Sequence, residues 1–147
     1  MKEQIIDGIN YRLNEETKTA EVINKSDGYE GDIIIPATVV FDEYTYRVTG
    51  IGKAAFADLA SLTSIVIPDS VTSIGGSAFF LCRSLNSITI PDSVTSIGYG
   101  AFSWCGSLTS ITFNGTKAQW NRIELGGAWK DEVPTKVVHC TDGEVEI

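Results

Sequence analysis

Apolar positions along this chain fall in short bursts at fixed offsets, and the bursts are copied. Residues 62–84 read LTSIVIPDSVTSIGGSAFFLCRS and residues 85–107 read LNSITIPDSVTSIGYGAFSWCGS, identical at 16 of 23 positions without a gap. A fixed period of this length marks a solenoid, one supersecondary unit stacked on copies of itself. Within each unit Ile65 and Ile67 (Ile88 and Ile90 in the second copy) alternate with Ser64 and Val66 (Ser87 and Thr89), so a strand with one buried face is expected. Pro68 and Pro91 end that strand because proline has no N–H for a ladder, and Asp-Ser supplies turn chemistry. Val71 with Ile74, then Gly75, then Ala78, Phe79 and Cys82 predict a second apolar edge, a tight bend and a short helical or 3₁₀ turn that buries the phenylalanine.

The same grammar extends outward from the two copies. VTGIGKAAFADLASL from Val48 matches VTSIGGSAFFLCRSL, with Leu59 where the cysteines later stand, and Asp32 to Pro36 aligns with Ser64 to Pro68 as a first repeat strand. Between them TVVFDEYTYRV reads as an inserted β-hairpin about Asp42-Glu43, a pair that suits a two-residue type I′ turn less well than Asn-Gly. Ahead of the repeats, Ile9, Tyr11 and Leu13 alternate, residues 14–18 read as a turn, and residues 19–23 as a returning strand. Beyond Leu108, Ile111 and Phe113 the period breaks. Thr116 and Gln119 form a capping box that predicts a helix over residues 117–125 with Trp120 and Ile123 on one face. Gly126-Gly127 is expected to end it, Trp129 to lie in a loop, and residues 135–141 to form a last strand.

The run L-x-S-I-x-I-P-x-S-V-T-S-I-G-x-x-A-F-x-x-C resembles the BspA-type leucine-rich repeat found on bacterial surface proteins. The resemblance implies a predominantly β fold with short helical turns, a right-handed leucine-rich-repeat solenoid with a parallel sheet, an N-terminal β-hairpin cap and a C-terminal helix-strand cap. It also implies a protein-binding or adhesive role outside the cell or at its surface. The expected layout is one domain over residues 1–147: an end segment over 1–31, coils over 32–113 with the hairpin near 37–47, and a closing segment over 114–147.

Charge narrows the partners. A net charge of −8 and a pI near 4.5 repel phosphate backbones and anionic headgroups, which argues against nucleic acid and membrane surfaces. No run of about 18 apolar residues offers a membrane span, and the first residues lack the apolar core of a signal peptide. The expected partner is a protein or glycan macromolecule, met by a monomer. Three cysteines, Cys82, Cys105 and Cys140, are an odd number and no disulfide framework. Cys82 and Cys105 stand one repeat apart, as stacked core thiols would.

Candidate chemistry is sparse. His139 adjoins Cys140, but neighbouring strand residues face opposite ways, so no Cys-His nucleophile is expected. Neither metal-ligand spacing nor a phosphate loop occurs, and Asp69 and Asp92 read as turn residues rather than a calcium ladder. No catalytic, metal or cofactor-binding residue and no cofactor is therefore assigned. A binding face is the better-supported feature: the outward strand positions Ile34, Ser64, Val66, Ser87, Thr89, Ser110 and Thr112 would make a concave surface of small, mostly hydroxylic residues. Phe80, Tyr99 and Trp104, which do not repeat, are expected to fill gaps between coils rather than form a second patch. The leading expectation is a non-enzymatic interaction or adhesion module, with a structural spacer as the alternative and a hydrolase a distant third.

Overall fold

The computed structural model describes residues 2–147. The chain opens on a meander of β1 (Lys2–Ile6), β2 (Ile9–Asn14) and β3 (Thr19–Val22), paired antiparallel in that order. Alternation along β2 buries Ile9, Tyr11 and Leu13. The strand β1 goes beyond the sequence-based expectation. Its signal was the Asp7-Gly8 pair, which takes positive φ of 49° and 85° and closes a two-residue hairpin loop. Tyr29 ties the following loop down: its hydroxyl donates to the Ile23 carbonyl at 2.7 Å and accepts from the Asn10 N–H at 3.0 Å.

After β4 (Gly31–Ile34), strands β5 (Thr38–Phe41) and β6 (Tyr44–Ile51) form the inserted hairpin, with Phe41 opposite Tyr44. The turn is tighter than its residues suggest. Asp42 and Glu43 both sit at positive φ, 51° and 72°, the type I′ geometry that matches strand twist and is usually given to Asn-Gly. Two flanking contacts accompany it, with the Lys2 ammonium 4.8 Å from the Phe41 ring and the Lys18 ammonium 4.5 Å from the Tyr44 ring.

The coils proper carry two parallel ladders. One runs through β6, β8 (Ser73–Ile74), β10 (Ser96–Ile97) and β12 (Glu124–Leu125), and the hairpin strand β3 leads it by pairing parallel with β6. The other runs along the strands of the leucine-rich spacing. There β4 pairs with β7 (Leu62–Val66), and β9 (Ser87–Ile90) pairs with β11 (Ser110–Phe113). Among the described residues no ladder joins β7 to β9, so this face is a two-stranded and a four-stranded sheet set side by side. Leu62, Leu85 and Leu108 are fully buried beneath it, with Ile65, Ile88 and Ile111 beside them.

The third side of each coil is a run of i→i−3 turns rather than a continuous helix. In one coil Ala78, Phe80 and Cys82 donate to the carbonyls of Gly75, Ser77 and Phe79 at 3.1–3.2 Å. Two residues per coil adopt the left-handed conformation: Ala54 and Asp58, Ser77 and Leu81, Gly100 and Trp104, Ala128 and Glu132, with φ between 55° and 64°. These residues free the intervening N–H groups to bond outward, so Phe56, Phe79 and Phe102 each donate at 2.8 Å to the next coil. The phenylalanine rings stack in consequence, 5.4 Å apart from Phe56 to Phe79 and 5.2 Å from Phe79 to Phe102, nearly parallel. Tyr29 and Trp129 close this column at its two ends. Glycine is required where the backbones meet: a Cβ at Gly98 would lie 2.4 Å from the Gly76 nitrogen, and one at Gly126 would lie 2.4 Å from the Tyr99 nitrogen.

The C-terminal segment departs from the expectation. The capping box is present, Gln119 N–H donating to Thr116 Oγ1 at 3.1 Å and Thr116 N–H to Gln119 Oε1 at 2.7 Å, but helix α1 is only Lys117–Trp120. Glu124 and Leu125, expected on that helix, form β12, because the open edge of β10 offers a parallel partner. Gly126 then donates to the Ile97 carbonyl at 2.7 Å, just as Gly98 does to Ile74 at 2.8 Å. Residues 124–133 are thus a further coil, and Gly126 is its bend rather than a helix stop. Trp129 is buried against Phe102 and Trp120. The strand expected over residues 135–141 is Val137–Cys140 (β13), parallel to β11, and an unanticipated antiparallel strand Gly143–Glu146 (β14) follows it.

Cys82 and Cys105 are fully buried free thiols that donate to the carbonyls of Phe56 at 3.0 Å and Phe79 at 2.9 Å. The adjacent Cys105 thiol, and burial after it, push the Cys82 thiol up. In native buffer a thiol reagent should therefore label Cys140 alone, which is only half-buried, while denaturant should expose all three and reduction should leave the mass unchanged. Alkali should act elsewhere. Burial first, then Tyr29 and Asp7, push the Tyr11 phenol up from 10.0 to about 12. An unfolded chain loses the Tyr11 proton near pH 10 and the folded one does not, so stability from this group is intact below pH 10 and falls as pH rises toward 12, by about 2–3 kcal/mol. Denaturant titrations across that window should show a shallower decline in Tyr11→Phe.

Candidate functional site

The outward strand positions share one surface, though not one unbroken ladder. Ile34 pairs with Val66 and Asp32 with Ser64, while Thr89 pairs with Thr112 and Ser87 with Ser110. Ile34 and Val66 are 71% and 55% exposed. Ser64, Ser87 and Thr89 are also exposed, and Ser110 and Thr112 are half-buried. The row of small hydroxylic residues is therefore real, but its two ends differ from its middle. At the β4 end the surface is apolar, with Asp32 alongside. Its carboxylate accepts from Ser64 Oγ at 2.7 Å and Thr63 Oγ1 at 3.0 Å; these two hydroxyls, Ser64 first, hold the carboxyl below its usual range.

The other end carries two residues beyond those expected on the face. His139 stands opposite Thr112 and Glu144 opposite His139, and His139 Nδ1 lies 3.0 Å from Glu144 Oε2. Alternation in residues 135–141 could have placed His139 in this row, since Val138 is fully buried and its neighbours must point the other way. The partner Glu144 needed β14. Cys140, by contrast, turns inward and packs against the core, so the adjacent His139 and Cys140 do not combine.

Asp69 and Asp92 lie in turns closed by Val71 N–H on the Pro68 carbonyl at 3.1 Å and Val94 N–H on Pro91 at 3.2 Å. The gap-filling expectation fails for Tyr99 and Trp104. Tyr99 is 69% exposed and Trp104 53% exposed, with Phe80 half-buried between coils. For Trp104 the reason is backbone conformation. Trp104 occupies a left-handed position, φ 64°, that points its side chain off the coil, where its counterparts are Asp58, Leu81 and Glu132.

Stacked coils, each with a parallel strand, a bend glycine and a turn on the outer side, define a leucine-rich-repeat solenoid. The family model for the BspA type leucine rich repeat region matches residues 48–123, just over half of the chain, and the chain belongs to that family. Among solved structures, a leucine rich cell surface protein from Faecalibacterium prausnitzii A2-165 is similar over 97% of this chain and 43% of its own, at 29% identity and a TM-score of 0.69. A leucine-rich repeat protein from Bacteroides ovatus ATCC 8483 is similar over 93% of this chain and 37% of its own, at 29% identity and a TM-score of 0.73. A leucine-rich repeat protein from Bacteroides capillosus ATCC 29799 matches over 95% and 99% of the two chains, at 25% identity and a TM-score of 0.72. The chain thus spans less than half the length of the first two. No curated protein sequence matches it.

Two neighbouring aromatics should respond oppositely to truncation. Phe102→Ala should cost about 3–5 kcal/mol, since it empties the place between Phe79 and Trp129 in the stacked column. Trp104→Gly should change the unfolding free energy by no more than about 1 kcal/mol, because relief of the left-handed conformation offsets the lost contacts and the entropy of glycine. Urea denaturation of both variants measures the contrast.

Proposed function

We propose that this chain is a non-enzymatic interaction or adhesion module of a bacterial surface protein, and that it binds through the exposed face of β4, β7, β9 and β11. The observation that carries this reading is the pairing of exposed Ile34 and Val66 next to a hydroxyl-lined strip. The strip holds Ser64, Ser87, Thr89, Ser110 and Thr112, all on strands whose opposite faces are locked in the core. A rigid face of this kind spends little ordering entropy on binding. The likeness to a protein described as a cell surface protein supports a location outside the cell. In the same reading residues 1–31 and 114–147 close the two ends of the coils, and a protein or glycan is the partner.

Long cationic side chains placed on this face should block a partner and leave the fold intact. Val66→Lys with Thr89→Lys is expected to reduce binding at least tenfold against a panel of extracellular-matrix proteins and glycans, while Lys53→Ala on the outer turn has no effect. Binding unchanged in the double variant would move the site elsewhere. A parent chain that binds nothing in the panel would leave the fold as a spacer.

A further inference from the structure

The outer turns carry a second surface, separate from the strand face. The two most similar repeats differ at seven positions, and five of these lie on the outer turn, at residues 99, 100, 103, 104 and 106. The changes bring in Tyr99 and Trp104, both exposed. Neither ring serves the packing of its own coil, and the next coil makes room for one of them. A Cβ on Gly127 would lie 3.3 Å from Tyr99 Cδ2 and 3.4 Å from Cε2, so the ring rests on bare backbone. Beside it Ser103 ties the two coils together, its hydroxyl donating to the Ala128 carbonyl. Together Phe80, Tyr99 and Trp104 line a groove of about 300 Å³ whose lining also includes Ser77, Ser103 and Asp131.

The groove is lined by aromatic rings, hydroxyls and one carboxylate. No basic residue lines it, Asp131 makes no salt bridge among the described residues, and the whole chain carries a net charge of −8. The rest of the molecule supplies the comparison. Tyr44, the other exposed tyrosine, has Lys18 over its ring at 4.5 Å, Phe41 has Lys2 at 4.8 Å, and Tyr29 has Lys25 at 5.1 Å. Tyr99 and Trp104 have no such cation from their own chain among the described residues. An ammonium over an aromatic face is attracted by the negative face of the ring, and tryptophan is the strongest such partner. We infer that the Tyr99–Trp104 groove receives a lysine ammonium presented by a basic partner protein, with the rings supplying the face and Asp131 the countercharge.

Trp104 is the one exposed tryptophan, Trp120 and Trp129 being buried, so its emission reports the groove. Titration with a tetralysine peptide should change that emission saturably, and the same peptide acetylated on every Nε should leave it unchanged. Tyr99→Ala and Asp131→Asn should each weaken tetralysine binding at least fivefold by fluorescence. Trp104→Gly should do the same by calorimetry, and Val66→Lys with Thr89→Lys should retain binding, which separates this groove from the strand face. Equal affinity in Tyr99→Ala, Trp104→Gly and the parent would overturn the inference, since only diffuse acidic charge would then be binding. So would equal binding of the acetylated peptide, or no binding of tetralysine. A response to cellotetraose without one to tetralysine would equally overturn it and make the groove a saccharide platform.

Discussion

Everything in this molecule depends on coils being held one backbone spacing apart, and the stacked phenylalanines are where that constraint is felt most. Phe56, Phe79 and Phe102 can lie nearly parallel only because each donates its own N–H to the next coil. The rings and the hydrogen bonds therefore enforce the same distance. Glycine at 98 and 126 answers the same requirement on the adjacent corner, where no Cβ would fit. Offset stacking of large rings adds to the burial of apolar area, and both gains vanish for a coil without neighbours, so the repeat is stable only as part of an array.

That dependence explains the ends. At the N-terminal side Val22 enters the same ladder as Ile51, Ile74 and Ile97, since Gly52 donates to Val22 as the later bend glycines donate to those isoleucines. Tyr29 then supplies the first ring of the aromatic column. At the C-terminal side a coil with little resemblance to the repeat continues the ladder through Leu125, and Trp129 with Trp120 fills the space that a phenylalanine would have taken. What counts is the shape of the apolar layer, not the identity of the motif.

The sequence disclosed the parts of the fold that repeat. Buried leucines, bend glycines and core thiols follow from one period, though not the break between β7 and β9, and the hairpin at residues 38–51 follows from one insertion. Less was legible where backbone conformation rather than hydrophobic pattern decides. The left-handed state of Trp104 leaves no trace in composition, so an aromatic that points to solvent read like one that fills a gap. Residues 117–125 look helical in isolation, yet a free strand edge claims Glu124 and Leu125, a tertiary override of local propensity. The strand face was legible residue by residue, but not His139 and Glu144, whose membership depends on β14.

The missing ladder between β7 and β9 has a mechanical side. The two coils concerned are still fastened by the β8–β10 pair and by Phe79 on the Ala101 carbonyl. Two seams of a three-sided tube are thus stitched at that level and one is open. A tube stitched along two seams instead of three is expected to bend most easily at that level, and such bending would change the spacing between Val66 and Thr89. A ligand gripping both sides would stiffen the tube, and tension along it would be transmitted to the grip.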